Sequence, residues 1–251
     1  MQWLLQHSAP IPIVQRNNMQ FGKLYLIPTV LYEDAIETIP PYILDAVKDC
    51  SVFFVEQEKT ARRFLKKIWR EMVIDDYQWF AIHKAESEVR NSLLQLLKEG
   101  KNIGIISEAG CPGIADPGQI LVEAAQSIGV TVKPLVGPSS ILLALMASGM
   151  NGQCFQFNGY LPIDGVERKK KIRDLETDSL KRNCTQLFIE TPYRNNALIN
   201  DLLQSCKPET KLCIAVDITA ISESIKTKTI RQWKQDQPDI HKKLAIFLLQ
   251  A

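Results

Sequence analysis

The sequence predicts an α/β protein of two α/β domains, the first built on a mostly parallel sheet and the second on a mixed sheet. Three observations carry this. From Phe21 onward, short β-branched or aromatic runs alternate with longer helical periods, the pattern of strands joined by crossover helices. The pattern stops at Gly149-Met150-Asn151-Gly152 and then begins again. The length of 251 residues exceeds the ~100–150 of a common single domain and suits two compact units.

Taken in order, residues 1–18 show no period and end at Asn17-Asn18-Met19, just before the first convincing strand. Residues 1–20 are therefore read as a disordered or loosely attached extension, with Met19 a candidate start. In the first domain, 21–149, strands are expected at 24–29, 52–56, 79–83, 103–107 and 130–135. Helices are expected at 41–48, 60–69, 86–98 and 116–128. The segment 139–147 is nearly all apolar, which predicts a helix buried between layers and leading to the domain joint. In the second domain, 150–251, strands are expected near 154–158, 186–190, 212–217, 224–233 and 244–249. The last two follow one another without a helix. A parallel crossover needs a dozen or more residues, so these neighbours are expected to pair antiparallel.

With 45% hydrophobic and 23% charged residues, the composition excludes a disordered tail, a collagen and a coiled coil. The longest nearly uncharged apolar stretch, Ile141 to Met150, is about half of the ~20 residues that cross a bilayer. The first residues lack a secretion-signal pattern, so the protein is expected to be cytoplasmic, with no membrane partner. Cys50, Cys111, Cys154, Cys184, Cys206 and Cys213 form no C-x-x-C pair, and His7, His83 and His241 form no helical ligand pair. Mostly buried free thiols and no metal site are expected, and neither His83 nor any cysteine is read as catalytic. Net charge is +2, divided as −2 over residues 1–163 and +4 over 164–251. The run Arg168-Lys169-Lys170-Lys171 lies in the very basic stretch 167–176, which reads first as a solvated helix face. The charge slope is compatible with an anionic partner such as RNA.

Neither G-x-G-x-x-G nor G-x-x-x-x-G-K-[ST] occurs, which argues against an ordinary dinucleotide or P-loop site. Instead, a strand end leads into Ser107-Glu108-Ala109-Gly110-Cys111-Pro112-Gly113-Ile114-Ala115-Asp116-Pro117-Gly118. Its glycines let backbone approach a ligand, and Asp116 is expected to cap the next helix with Pro117 at its first position. A second strand end leads to Gly137-Pro138-Ser139-Ser140, whose helix-start N–H groups suit a carboxylate. A third is Glu190-Thr191-Pro192-Tyr193-Arg194, with Thr191 the expected cap. Each alone serves as an ordinary helix cap. Three at the carboxyl ends of strands mark the crevice where open parallel sheets bind ligands.

Leu24-Tyr25-Leu26-Ile27-Pro28-Thr29, the 107–118 loop, residues 135–140 with Ala147-Ser148-Gly149, Asn158-Gly159-Tyr160-Leu161-Pro162 and residues 190–194 occur in a familiar order and spacing. Over roughly Phe21 to the C-terminus the chain resembles the tetrapyrrole methylase superfamily. The resemblance implies two α/β domains, S-adenosylmethionine in the cleft between them, and usually a homodimer. Within the superfamily the chain is most similar to the branch that methylates a cytidine ribose 2′-oxygen in small-subunit ribosomal RNA. Carried onto this sequence, it implies a cofactor site of Pro28, Ser107, Glu108, Ala109, Gly110, Cys111, Asp116, Gly137, Pro138, Ser139, Ser140, Tyr160 and Leu161. Glu190 and Arg194 are read on the acceptor side, no residue is assigned as catalytic, and no metal is implied. If the acceptor is RNA, the +4 balance of the second part points to the basic stretch Arg168 to Arg173, including Lys169 and Lys170, with Arg182 and Arg194, as part of its phosphate track. The sulfonium already makes the methyl group electrophilic, so the protein has mainly to align donor and acceptor.

Departures from the family pattern concentrate on the acceptor side. Val30-Leu31-Tyr32-Glu33 replaces a Gly-Asn turn, Glu108 replaces an aspartate, Ala220 a lysine, and Lys242-Lys243 a Gly-Glu pair. The residues therefore leave three readings open: an RNA methyltransferase, a small-molecule methyltransferase, or a cofactor-binding paralogue without turnover.

Overall fold

The computed structural model describes residues 21–82, 86–115 and 118–251, with 86 and 87 as helical backbone. The 1–20 extension with Met19, the strand end at His83, and Asp116-Pro117 lie outside the described residues.

The first domain is a sheet of five parallel strands, β1 (Leu24–Ile27), β2 (Val52–Val55), β3 (Gln78–Ala81), β4 (Ile103–Ile106) and β5 (Val132–Pro134). Their order is β3-β2-β4-β1-β5. Helices α1 (Ile43–Asp49) and α2 (Glu58–Ile68) cover one face; α3 (Glu86–Lys98) and α4 (Gln119–Ser127) cover the other. Double coverage explains why β2 and β4 are buried at every position and read as continuous apolar runs. From β1 the chain crosses to β2, on the far side of β4, whereas from β4 it crosses to β5, on the far side of β1. The order therefore reverses between β1 and β4, which opens a crevice at their carboxyl ends. The cap position of α4 falls two residues later than expected, at Gly118.

The second domain has β6 (Phe155–Tyr160), β7 (Thr185–Ile189), β8 (Lys211–Val216), β9 (Ser224–Thr229) and β10 (Ala245–Gln250), in the order β6-β7-β10-β8-β9. The sheet is mixed as expected, but the pairing differs. β9 pairs antiparallel with β8, and β10 inserts antiparallel between β7 and β8, so β9 and β10 do not pair. The reason is local. The expected strand 224–233 stops at Thr229, whose hydroxyl accepts from the Gln232 N–H while the Gln232 side chain accepts from the Thr229 N–H. This capping box opens α8 (Ile230–Gln235), which frees the chain to cross to the sheet centre.

Helices α6 (Gly165–Arg182), α7 (Asn195–Ser205) and α8 pack on one face of this sheet. The other face is covered by α5 (Ser140–Ser148), which leaves the first sheet and lays Ala144 and Leu145 on Leu187, Cys213, Ala215, Ile246 and Leu248. Full burial of α5 was expected from its composition, yet Leu142 and Met146 are 52% and 79% exposed. The second sheet covers only one stripe of the helix.

Asp164 caps α6 by accepting from the N–H groups of Val166 and Glu167 at 2.9 Å. The basic stretch that follows is not a uniform solvated face. Arg168 turns inward, its Nε 2.8 Å and Nη2 2.6 Å from Asp201 Oδ2, and the two side chains are only 9% and 11% exposed. Its Nη1 donates to the Ile163 carbonyl at 2.9 Å. Removing one member of such a pair strands a buried charge. Asp201→Ala should lower stability by about 3–5 kcal/mol, read as a fall in the urea midpoint, whereas Lys170→Ala should change it by less than ~0.5 kcal/mol.

Candidate active site

At the crevice the loops after β1, β4 and β5 meet. Thr29 and Gly110 exchange backbone hydrogen bonds, N–H to O 2.9 and 3.2 Å, joining the first two across the switch point. Gly110 is left-handed at φ +77°, and a Cβ there would stand 3.2 Å from Leu31 Cδ2 and 3.3 Å from the Pro138 carbonyl. A Cβ on Gly137 would lie 2.1 Å from Pro28 Cβ, so only glycine lets the β5 loop rest on the β1 loop. The Cys111 thiol lies 3.7 and 3.5 Å from the Gly137 and Pro138 carbonyls. Glu108 N–H donates to Glu56 Oε2 at 3.0 Å, and the Thr60 hydroxyl donates to Glu108 Oε1 at 2.6 Å. The fold thus brings together Pro28, Ser107 to Cys111 and Gly137 to Ser140. Asp116 lies outside the described residues.

Two features of this junction suit a ligand. Ser139 holds the extended cap position of α5, but its side chain makes no capping bond, leaving the first N–H groups of the helix without a side-chain partner. The hydroxyl of Ser107 is buried and has no hydrogen-bond partner among the described residues. Beside it opens a cavity of about 140 Å³ lined by Thr29, Leu31, Thr60, Arg63, Lys67 and Ser107, among others.

The expected residues Tyr160, Leu161, Glu190 and Arg194 lie at or just past the ends of β6 and β7 in the second sheet. The β6–β7 pairing shifts register between Phe157 and Tyr160, a bulge that leaves Tyr160 60% exposed at the strand end. Leu161, expected in the cofactor site, instead places its side chain in the core under α6 and α7. Glu190 is buried. Its Oε1 accepts from Arg194 Nε at 2.9 Å, Arg194 Nη2 at 2.5 Å and Thr191 N–H at 2.6 Å, and its Oε2 has no partner among the described residues. Thr191 is therefore not a helix cap: the carboxylate and an Arg194 N–H to Thr191 O bond of 2.9 Å close a turn, and α7 begins at Asn195 with Arg194 at the cap. Lys169 and Lys170 lie on α6, where the Lys169 ammonium is held by Asp201 at 3.3 Å and Gln204 at 2.8 Å on α7. Lys170 is exposed.

Asp217, Thr219 and Lys242 all adopt left-handed φ, at +49°, +71° and +63°, a cluster of strained non-glycine backbone around the end of β8. Asp217 Oδ2 accepts from Lys243 Nζ at 2.8 Å and Ser222 Oγ at 3.0 Å, and Asn195 Nδ2 donates to the Lys243 carbonyl at 2.8 Å. Asp217 holds the Lys243 ammonium above the usual lysine range, with a smaller contribution from Tyr32 of the β1 loop. The two domains meet at this point. Lys243 is a fixed cation at neutral pH, not a proton acceptor. The Asp217–Lys243 pair and the cavity residues Thr60, Arg63 and Lys67 were missed by motif reading. For Arg63 and Lys67 the density of cations in α2 was the legible signal.

A parallel sheet with glycine-mediated loop contacts at its switch point, joined by one helix to a mixed sheet, defines a two-domain α/β protein with a ligand crevice at its strand ends. The chain belongs to the tetrapyrrole (corrin/porphyrin) methylase family, whose model matches residues 35–233. It is 32% identical over 203 residues to the ribosomal RNA small subunit methyltransferase I of Vibrio cholerae, covering 80% of this chain and 67% of that protein. It is 34% identical over 173 residues to the Bacillus subtilis protein of the same name, covering 69% and 56%. The chain thus spans just over half to two thirds of these relatives. Among solved structures, the methyltransferase CobJ superposes with a TM-score of 0.61 at 15% identity, covering 91% of this chain and 94% of that one. Uroporphyrin-III-C-methyltransferase from Thermus thermophilus gives 0.52 at 15%, covering 91% and 92%. At such identities the structures speak for the fold alone.

Two outcomes follow from this geometry. Gly137→Ala forces the β1 and β5 loops apart and should cost about 1–3 kcal/mol in urea denaturation. The Asp217–Lys243 pair raises a lysine pKa, so its contribution is fully present below the unfolded lysine value near 10.4 and is lost as pH rises through the folded one. The Tm difference between wild type and Lys243→Met should therefore stay constant from pH 6 to 9 and shrink only above about pH 10.5.

Proposed function

We propose that the protein transfers the methyl group of S-adenosylmethionine to small-subunit ribosomal RNA, at a ribose 2′-hydroxyl, working in the cytoplasm as a homodimer. The observation that carries the cofactor reading is the junction of three strand-end loops at the uncapped start of α5. A carboxylate suits those N–H groups electrostatically. Gly110 and Gly137 leave room for backbone to border the ligand, Pro28 forms a wall, and Tyr160 is an exposed aromatic at the end of β6. S-adenosylmethionine supplies an already electrophilic methyl group. The residues present fit such a group, and their work is to hold and align it while the walls exclude water.

Support for the RNA acceptor comes from the relatives named above. On the acceptor side Glu190 and Arg194 form a fixed ion pair that shapes the second-domain wall, and exposed Lys170 is free to meet a phosphate farther out. The exposed apolar residues Leu142 and Met146 on α5 give a second subunit something to cover.

The cofactor reading has a variant with opposite effects on fold and binding. Ser139→Asp supplies the missing cap, so thermal stability should hold or rise, while its carboxylate should weaken binding of S-adenosylhomocysteine at least ~10-fold by calorimetry. Unchanged affinity would remove the α5 start from the site. For the acceptor, labelled S-adenosylmethionine is incubated separately with small-subunit RNA and with a small-molecule extract. Label in a 2′-O-methylated nucleoside after RNA digestion supports the proposal, and label only in the extract replaces it with the small-molecule reading.

A further inference from the structure

The densest run of cations in the first domain lies in and just after α2. Between Glu58 and Arg70 the chain carries Lys59, Arg62, Arg63, Lys66, Lys67 and Arg70 against the single carboxylate of Glu58. That is six of the fourteen cations in residues 1–163, a part whose net charge is −2. At about 100° per residue Lys59, Arg62, Arg63, Lys66 and Lys67 share one side of the helix, and Arg70 follows just past its end. The opposite side, Ala61, Phe64 and Leu65, is buried in the first-domain core. Four of the six, Lys59, Arg63, Lys66 and Lys67, are exposed residues of the helix itself, although Lys66 Nζ also donates to the Met72 carbonyl at 2.9 Å and Arg62 pairs with Glu58.

This cationic face runs directly to the crevice. Arg63 and Lys67 line the 140 Å³ cavity whose wall includes Ser107, whose buried hydroxyl has no partner among the described residues. Both cations are held at the rim by the β1 loop: Arg63 Nε is 3.4 Å and Lys67 Nζ 3.5 Å from Glu33 Oε1, with Asp34 3.9 Å from Lys67. These pairs join exposed side chains, which contribute little and yield readily to a competing anion. Glu33 and Asp34 thus occupy positions where a phosphate would be equally well received. The α6 stretch differs in kind, because Arg168 is buried on Asp201 and Lys169 is tied to the same carboxylate.

We propose that the outer face of α2 is the phosphate-contacting track for the RNA acceptor, with Arg63 and Lys67 displacing from Glu33 and Asp34 to guide a nucleotide into the cavity that ends at Ser107. The proposal rests on the RNA-acceptor reading and locates the acceptor's approach on the first domain. Each phosphate neutralised releases counterions, so the affinity falls with salt by a slope proportional to the number of contacts.

The test measures binding of transcribed small-subunit RNA to the full chain across a salt series. It compares wild type, Arg63→Gln/Lys66→Gln/Lys67→Gln in α2, and Lys169→Gln/Lys170→Gln/Lys171→Gln in α6. The α2 variant should flatten the slope of log affinity against log salt by roughly 2–3, keep its affinity for S-adenosylhomocysteine, and raise KM for RNA more than it lowers kcat. The α6 variant should retain most of the wild-type slope. A steep wild-type slope unchanged in the α2 variant, or flattened only in the α6 variant, would overturn the α2 track and leave the RNA reading standing. Absent RNA binding by the wild type at low salt would overturn both. Retained S-adenosylhomocysteine binding certifies that each variant is folded, and Arg63→Lys/Lys67→Arg should restore the slope because charge is kept.

Discussion

The contact between Gly137 and Pro28 governs more of this protein than any catalytic side chain. It fixes where the β5 loop ends relative to the β1 loop, and therefore where α5 begins. Because α5 covers one face of the second sheet, the same missing Cβ sets both the floor of the crevice and the placement of the opposite wall. The Thr29–Gly110 hydrogen bonds lock the third loop into this junction. A site formed by three separate loops keeps its shape only if the loops brace one another, and here backbone does the bracing. Side chains are then left over for the ligand.

Apolar packing and polar chemistry are divided between different parts of the joint. Ala144 and Leu145 of α5 bury against five residues of the second sheet, and burial of a side chain such as leucine contributes about 1.5–3 kcal/mol. The cleft itself carries the expensive features: a Ser107 hydroxyl and a Glu190 oxygen that have no hydrogen-bond partner among the described residues, and three residues with left-handed backbone at and near Asp217. Strain of this kind costs about 1–3 kcal/mol per residue and persists only where surrounding bonds over-determine it. The Asp217–Lys243–Asn195 hydrogen bonds and the Lys242 N–H to Pro192 carbonyl bond of 3.0 Å provide that constraint.

Charge shows how similar sequence patterns acquire different physical roles. Arg168 and Arg63 each sit among several cations within a helix. Arg168 faces Asp201 in a nearly dry interior, where loss of its partner is severe, whereas Arg63 faces Glu33 in water, where the pair is weak. The first orders the packing of α6 on α7. The second remains available to an arriving anion.

The sequence by itself determined the features set by local periodicity and turn chemistry. These are the five strands of the first sheet to within two residues among those described, the helix at 86–98 and the glycine-bearing loops. It also carried the Thr-x-x-Gln capping box at Thr229, overlooked because a run of β-branched residues masked it. Only the tertiary structure decided that β10 inserts between β7 and β8, that α5 leaves Leu142 and Met146 uncovered, that Leu161 enters the core, and that Thr191 serves Glu190 instead of a helix. The division has one physical cause. A capping residue, a helical stripe or a strand run is stabilised by neighbours a few positions away. Strand order, the covered side of an apolar helix and the solvation of an arginine depend on partners dozens of residues distant, whose arrival only the folded chain determines.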